Sequence, residues 1–328
     1  MKKVLALVLC AVLALSLVAC ASSSKSGSAL PKNIEVQLPA KAGGGTDVSA
    51  RSIQTFQSQN SGSNFTIVNN TDGSGVVAME TVRTAKADGS KILFFHTTMS
   101  IKKATGVYDK SPSQDFKVIG CATPTNPGGY ILVVPVESGI TDLDGFIAAA
   151  KAANGEYMIG VETGGSSHIM SGILSKALGV NLKYVEAGSD TDKLTALVGG
   201  SIQCALVNAN QAKQYIEGGK VVALACFSAT SEGGRNSVLP DVPSFKELGY
   251  DCVFGTYFYV LGPKDMSDET AKALYDTYVA AATDPATLEI LEKAGMGMVF
   301  VPFEEGASYI AAQETALNEV CAELGLAG

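Results

Sequence analysis

The sequence has few residues of the kinds that catalysis, metal binding and nucleic-acid binding most often use. It contains two histidines, no run of lysine or arginine, and a net charge of −8. The missing basic run argues against nucleic acid as a partner. Two histidines without a clustered acidic partner fall short of a metal site, and we expect no cofactor.

Motifs for covalent catalysis are also missing. No Gly-x-Ser-x-Gly elbow occurs in the chain. Ser166, Ser167 and His168 stand side by side, but adjacent side chains on a helix diverge and cannot form a hydrogen-bonded dyad. The sequence therefore argues against an enzyme.

Long apolar runs are confined to the N-terminus. Lys2 and Lys3 precede an apolar run over residues 4–18, which is shorter than the roughly 20 residues of a membrane span and typical of a signal-peptide core. The run ends in Leu-Val-Ala-Cys20, which resembles a bacterial lipobox. We predict a lipoprotein signal peptide at 1–19, lipidation of Cys20, and a serine-rich flexible tether to residue 30. Acylated Cys20 would hold the protein in the bilayer, at the outer face of the cell membrane.

The remaining cysteines form no C-x-x-C pair, so metal ligation by them is improbable on spacing. Cys204 and Cys226 lie in apolar, strand-like runs, which favours buried free thiols. A disulfide between them stays open, because such bonds form outside the cytoplasm.

Strand-like and helix-like segments alternate from residue 34 onward. Strands are predicted at 34–38, 65–69, 91–95, 130–136, 157–160, 182–185, 202–207, 221–227 and 253–261, with a short edge strand at 299–301. Helical patterns lie between most of these strands. After the strand at 253–261 the chain is predicted to be helical to about residue 292, and again over 303–324. This alternation indicates an α/β fold with parallel sheets covered by helices. The continuous apolar run at 130–136 is typical of a strand buried in a parallel sheet.

A glycine-rich turn connects the first strand to the first helix. Its glycines let the backbone approach a ligand, and the helix start favours an anion. It is neither a dinucleotide fingerprint, because Val48 stands where a third small residue belongs, nor a P-loop. A tight turn without a ligand remains the alternative. The candidate binding residues in this turn are Gly43, Gly44, Gly45, Thr46 and Asp47.

A second turn of the same kind follows the strand at 157–160. Ligands bind beyond the carboxyl ends of strands in open α/β sheets, so two helix starts could grip one carboxylate across a cleft. This turn contributes Gly164, Gly165, Ser166, Ser167 and His168.

Further polar residues also follow predicted strands, and simple loop capping is the alternative for each of them. They are Thr97, Thr98, Asp190 and Asn208.

Taken in order, these motifs resemble the substrate-binding receptors of tripartite tricarboxylate transporters, including the large Bordetella uptake group. The resemblance rests on the turns at 43–47 and 164–168, on Asp72-Gly-Ser-Gly75, on Leu197-Val-Gly-Gly-Ser-Ile202, and on Leu239-Pro-Asp-Val-Pro243 followed by Gly249-Tyr250.

The resemblance implies a periplasmic-binding-protein-like, type II Venus-flytrap fold. Lobe one would comprise residues 31–125 plus 247–328 and lobe two residues 126–246, each with a mostly parallel sheet. The two glycine-rich turns would hold a ligand carboxylate. Lys41, where relatives have a neutral stretch, would either add positive charge at the cleft mouth or stay solvated.

The function implied is capture of a small carboxylate and its delivery to membrane permease subunits by a monomer. Backbone N–H groups would suffice for micromolar binding without any fixed cation. Two alternatives stay open: a receptor for an amino acid or aromatic acid, and a sensor that presents its ligand to a two-component system.

Overall fold

The computed structural model describes residues 30–328. The predicted signal peptide at 1–19, Cys20, and all but the last residue of the predicted tether lie outside the described residues. Across the described part, no helix is both long and apolar enough to cross a membrane.

The secondary structure alternates between strands and helices, as the periodicity predicts. In chain order the strands are β1 (Asn33–Leu38), β2 (Asn64–Asn69), β3 (Lys91–His96), β4 (Phe116–Pro124), β5 (Gly128–Pro135), β6 (Met158–Val161), β7 (Lys183–Glu186), β8 (Cys204–Val207), β9 (Val221–Ser228), β10 (Phe258–Pro263) and β11 (Met298–Phe300). The helices are α1 (Gly45–Asn60), α2 (Val76–Arg83), α3 (Thr98–Ala104), α4 (Leu143–Ala152), α5 (Ser166–Leu178), α6 (Asp190–Val198), α7 (Ala209–Glu217), α8 (Asp268–Thr283), α9 (Pro285–Lys293) and α10 (Gly306–Glu323).

The strands form two sheets. The first has six strands in the order β11-β4-β10-β3-β1-β2, and the second has five in the order β7-β6-β8-β5-β9. The chain passes from the first sheet to the second directly after β4 and returns through the long segment between β9 and β10. The α/β class with two sheets is therefore confirmed.

Both sheets are mixed, and most strands in each run in one direction, as the prediction of mostly parallel sheets states. β1 is parallel to β2 and β3, and β6 is parallel to β7 and β8. β10 is antiparallel to both of its neighbours, and so is β5. A helical crossover makes successive strands parallel, but β5 and β10 are entered from the other sheet without one.

Two elements were missing from the sequence prediction. β4 is interrupted by Lys117 and Gly120, which break its apolar run. α3 has seven residues, fewer than the window in which helical periodicity can be read. α3 carries Thr98, one of the predicted site residues.

The hydrophobic core is divided between the two sheets, and one cluster connects them. In that cluster Leu317 and Cys321 of α10 and Ile101 of α3 pack with Leu174 and Leu178 of α5. The C-terminal helix therefore contacts elements of both sheets.

All five described cysteines are free and buried. A disulfide between Cys204 and Cys226 is excluded by the sheet topology, because β5 lies between β8 and β9. The two thiols also belong to different core clusters on opposite faces of this sheet. Burial raises the pKa of Cys204 and Cys226, so both thiols are inert.

Candidate functional site

A cavity of about 380 Å³ lies where loops from both sheets meet. Its walls come from segments that follow β1, β2 and β3 of the first sheet and β6, β7 and β8 of the second, the edge at which α/β folds bind ligands. The side of the first sheet contributes Pro39, Ala40, Lys41, Gly44, Gly45, Thr46, Thr71, Ser74, Phe95, His96, Thr98 and Lys102. The side of the second contributes Tyr130, Glu162, Ser166, Ser167, Gly188, Ser189, Asp190, Lys193 and Gln211.

The two glycine-rich turns have the same internal construction. In each, a glycine with positive φ precedes the N-cap glycine: Gly43 has φ +79° and Gly164 has φ +68°. The N–H of Gly43 donates to Oδ2 of Asp47 at 2.9 Å, and the N–H of Gly164 donates to Nδ1 of His168 at 3.2 Å. The side chain four residues ahead thus holds each turn in a conformation that favours glycine.

Neither turn provides a side-chain acceptor for the first N–H groups of the helix that follows it. Gly44 and Gly165 are the N-caps of α1 and α5, and no side chain caps either helix in the described chain. The first N–H groups of an α-helix have no intrahelical acceptor, and the helix dipole adds about half a positive charge at that end. Two uncapped helix starts, one beside each sheet, therefore present donors to one cavity.

Hydroxyl groups join the two sides of the cavity. Oγ1 of Thr98 lies 2.8 Å from Oγ of Ser166, and both residues are buried. Oγ of Ser167 accepts the N–H of Glu162 at 2.8 Å, which leaves the Ser167 hydroxyl proton available to another acceptor. The cavity wall is therefore rich in neutral hydrogen-bond donors.

Two buried lysines, which the sequence analysis did not include among the site residues, also line the cavity. Lys193 is neutralised: its Nζ lies 2.6 Å from Oδ1 of Asp190 and donates to the Leu206 carbonyl at 3.1 Å. Lys102 is 1% exposed, and in residues 30–328 its Nζ has no hydrogen-bond partner. Its nearest carboxylate is Glu162, at 3.9 Å. Burial lowers the pKa of Lys102, although Glu162 and Glu186 oppose this shift.

His96 is the last residue of β3 and lines the same cavity. Its Nδ1 accepts the N–H of Thr98 at 3.3 Å, which places the ring proton on Nε2. Burial chiefly, together with the charge of Lys102, lowers the pKa of His96 to about 3. The imidazole is therefore neutral at physiological pH.

The cavity mouth is bridged by an exposed ion pair. Nζ of Lys41 lies 2.8 Å from Oδ2 of Asp192, with the side chains 64% and 48% exposed. The sequence analysis expected Lys41 either to add positive charge at the cleft mouth or to stay solvated; its ammonium is largely exposed and is paired with Asp192. The side chain crosses from one side of the cavity to the other.

Residues 49–326 match the family described as the tripartite tricarboxylate transporter family receptor (TctC). The chain belongs to this family. BugT of Bordetella pertussis is 25% identical over 283 residues, which cover 85% of each chain. The family and its structural neighbours are substrate-binding receptors rather than enzymes, in agreement with the sequence-based expectation.

Solved structures agree on the fold of this receptor. The periplasmic binding protein BugD superposes with a TM-score of 0.78 at 22% identity, covering 90% of this chain and 99% of that one. MatC from Rhodopseudomonas palustris, solved with bound malate, gives 0.74 at 21% identity over 88% and 98% of the two chains. These likenesses confirm the periplasmic-binding-protein fold predicted from the resemblance.

Half of the predicted site residues line the receptor's cavity. They are Gly44, Gly45, Thr46, Thr98, Ser166, Ser167 and Asp190. Asn208 lines an adjoining cavity of about 100 Å³ that shares Gly45, Thr46 and Asp190 with the first. Asn208 is also the N-cap of α7, where its side chain accepts the N–H of Asn210.

The other predicted residues line neither cavity and support the segments around them. Gly43, Gly164 and Gly165 shape the turns, and Asp47 and His168 hold them as described. Oγ1 of Thr97 accepts the N–H of Tyr257 at 2.8 Å and anchors β3 to the segment before β10. The carboxylate of Asp47 accepts hydrogen bonds from Gly43, Arg51 and Asn69, so in this structure it supports the loop.

Sequence reasoning missed the charged residues of the wall, Lys102, Lys193 and Glu162. Lys193 could have been found, because it stands three residues after Asp190, the spacing at which helical side chains pair. Lys102 gave no comparable signal, since the helix that carries it was not predicted. Within residues 30–328 no group of three His, Cys, Asp or Glu side chains could hold a metal ion.

Proposed function

We propose that this receptor captures a small carboxylate in the cavity between its two sheets and delivers it to membrane permease subunits. The observation that carries the proposal is the pair of uncapped helix starts, α1 and α5, which line one cavity from opposite sides. Malate, the ligand bound to MatC, is a small carboxylate and supports this ligand class.

The proposed contacts follow from the donors in the wall. N–H groups of Gly45, Thr46, Ser166 and Ser167 and the hydroxyl of Thr98 bind carboxylate oxygens. Hydrogen bonds to a charged group contribute roughly 1.5–3 kcal/mol each, so a few of them reach the −8 kcal/mol or so of micromolar binding.

We further propose that each sheet with its helices forms a lobe, with residues 31–125 plus 247–328 in one and 126–246 in the other. The lobes would close over the ligand by a hinge motion. Lipidation at Cys20 would anchor a monomeric receptor to the outer face of the cell membrane and raise its effective concentration near the permease.

The proposal is tested by thermal unfolding of the full chain in mild detergent. Small mono-, di- and tricarboxylates are compared with their neutral amides at equal concentration. Carboxylates should raise the Tm, because a ligand that binds only the native state stabilises it, while the amides should not. Equal shifts from acids and amides would rule out the carboxylate site. Mass spectrometry of the protein isolated from cells, which detects a lipid on Cys20, tests the anchor separately.

A further inference from the structure

Lys102 is the least compensated charge in the cavity wall. It lies one helical turn after Thr98 on α3, so both side chains are on the same face of that helix and both line the cavity. Its ammonium is buried, and no acceptor within the described chain receives a hydrogen bond from it. Lys193 serves as the internal comparison, because its ammonium has both a carboxylate and a carbonyl partner.

A buried ammonium without partners lowers the stability of the native state. An apolar side chain of similar length, such as methionine, would fill the same space without that cost. Lys102 therefore makes no stabilising contribution to the unliganded fold through its charge, and an anionic group entering the cavity would give the ammonium the partner that it lacks.

Glu162 is a weak substitute for such a partner. Its carboxylate is 3.9 Å from Nζ of Lys102, which is too long for a hydrogen bond, and its side chain is 49% exposed. It can turn toward solvent when a better-placed anion arrives. Asp190 cannot do the same, because its two oxygens are held by Lys193 and by the N–H of Asn208.

The positive charge at the site matches a ligand with two negative charges. Each uncapped helix start is equivalent to about half a charge, so α1 and α5 together balance about one carboxylate. The Lys41–Asp192 and Lys193–Asp190 pairs are neutral. Once Glu162 turns away, Lys102 adds one further positive charge, which balances a second carboxylate.

We propose that Lys102 is the charge-selecting residue of the cleft: its ammonium pairs with a second carboxylate of the ligand, so the receptor prefers dicarboxylates to their monoanionic analogues. This inference rests on the proposed function, since it presumes that the two helix starts hold the first carboxylate. Glu162 acts as a placeholder that the second carboxylate displaces.

The test is calorimetric titration of the full chain in mild detergent. The probes are malate and the straight-chain dicarboxylates from malonate to suberate, each with its monoamide. Wild-type protein should bind the best dicarboxylate at least about tenfold more tightly than the monoamide. Lys102→Met should weaken the dicarboxylate by about 10- to 100-fold, the factor that one charge-assisted hydrogen bond is worth, and leave the monoamide nearly unchanged.

Two further variants make the result specific. Lys103→Met removes the neighbouring lysine, which is exposed on the same helix, and should retain the wild-type preference. Glu162→Gln removes the placeholder and should tighten dicarboxylate binding. Lys102→Met should also raise the Tm of the unliganded protein, because it removes a buried unpaired charge, and this readout verifies that the variant folds.

The outcomes separate this inference from the proposed function. If wild-type protein binds dicarboxylates and Lys102→Met keeps the same preference over the monoamide, the charge-selecting role is wrong and the carboxylate receptor stands. If Lys102→Met weakens the dicarboxylate and the monoamide equally, Lys102 binds the carboxylate that both ligands have. That result would overturn the proposed site for a second carboxylate. Failure of wild-type protein to bind any carboxylate would overturn the proposed function and this inference together.

Discussion

The hydroxyls of Thr98 and Ser166 lie 2.8 Å apart and connect a helix of the first sheet to a helix of the second. Both side chains are buried and both line the cavity. The same two groups therefore contact each other and stand among the donors proposed for the ligand.

Replacing Thr98 with valine tests this double role, because valine keeps the shape and removes the hydroxyl. We expect carboxylate affinity to fall by about tenfold, the equivalent of one net hydrogen bond of roughly 1.4 kcal/mol. Isothermal titration against the best carboxylate measures the change.

Thr315→Val is the matched control. The Thr315 hydroxyl donates to the Ala311 carbonyl within α10, on an exposed face away from the cavity. That variant should bind as the wild type does. If Thr98→Val also binds normally, the Thr98 hydroxyl is not a ligand donor.

Asp47→Asn tests whether the Asp47 side chain stabilises the first glycine-rich turn. The carboxylate of Asp47 accepts from Gly43, Arg51 and Asn69. Burial alone would raise the pKa of Asp47, but these hydrogen bonds outweigh it and hold the pKa below its usual range. An amide cannot accept at both of its ends, so we expect a loss of about 2–4 kcal/mol in the free energy of unfolding, together with weaker ligand binding.

Urea unfolding measures this loss, and Asp144→Asn is its control. Asp144 also lies in the first turn of a helix, α4, but it is exposed. Its replacement should change stability by less than about 0.5 kcal/mol. Equal effects at the two positions would contradict a special role for Asp47.

The Lys41–Asp192 pair should contribute little to affinity although it bridges the cavity mouth. Both side chains are exposed, and exposed pairs are worth at most about 1 kcal/mol before salt screens them. We expect Lys41→Gln to weaken ligand binding by less than about fivefold at low salt, with no difference from wild type in 0.5 M salt or so.

Asp192→Asn should have a larger effect than Lys41→Gln on stability. Asp192 also accepts the N–H of Ser189 in the capping box of α6, and loss of a helix cap costs about 1 kcal/mol. Hydrogen bonds from Lys41 and then Ser189 lower the pKa of Asp192 to about 2, so the pair stays charged at any physiological pH. A double-mutant cycle between the two positions isolates their coupling free energy. A coupling above about 2 kcal/mol would contradict the expectation that this ion pair is weak.

The sequence predicted the backbone of the site better than its charges. A run of glycines between a predicted strand and a predicted helix indicates a tight turn. The runs at 43–45 and 164–165 both have this position, so both turns could be located. Which side chains face the cavity depends on the packing of the helix that carries them. Asp47 and Ser166 both belong to the first turn of a helix, yet Asp47 points back into its own loop and Ser166 lines the cavity.

The direction of strands was less predictable for a similar reason. Alternation of strands and helices indicates parallel pairing only while the chain stays within one sheet. The segments before β5 and β10 pass between sheets, and nothing in their composition states in which direction the next strand will run. The prediction of two mostly parallel sheets therefore held, but the strands that run against the others, such as β5 and β10, could not be identified from the sequence.

His96 should make the unliganded receptor less stable as the pH falls below neutral. Its pKa is about 3 in the native protein against 6.5 for the unperturbed group. At a pH between these two values the unfolded state therefore binds a proton that the native state does not bind. Stability is thus complete above about pH 6.5 and is lost as the pH falls toward 3. Between pH 7 and 5 the loss from this residue is at most about 2 kcal/mol, because part of the ring faces the cavity and retains some contact with water.

Urea unfolding of wild type and His96→Gln at pH 7, 6 and 5 measures this contribution. The wild-type free energy of unfolding should fall more steeply with decreasing pH than that of the variant, by roughly 1–2 kcal/mol over the range. The pKa of His168 is also lowered, with burial as the first cause, so the variant should keep a residual slope of the same sign that His168→Gln removes. Parallel curves for wild type and His96→Gln would show that His96 takes up its proton equally readily in the native and unfolded states, which would contradict the lowered pKa.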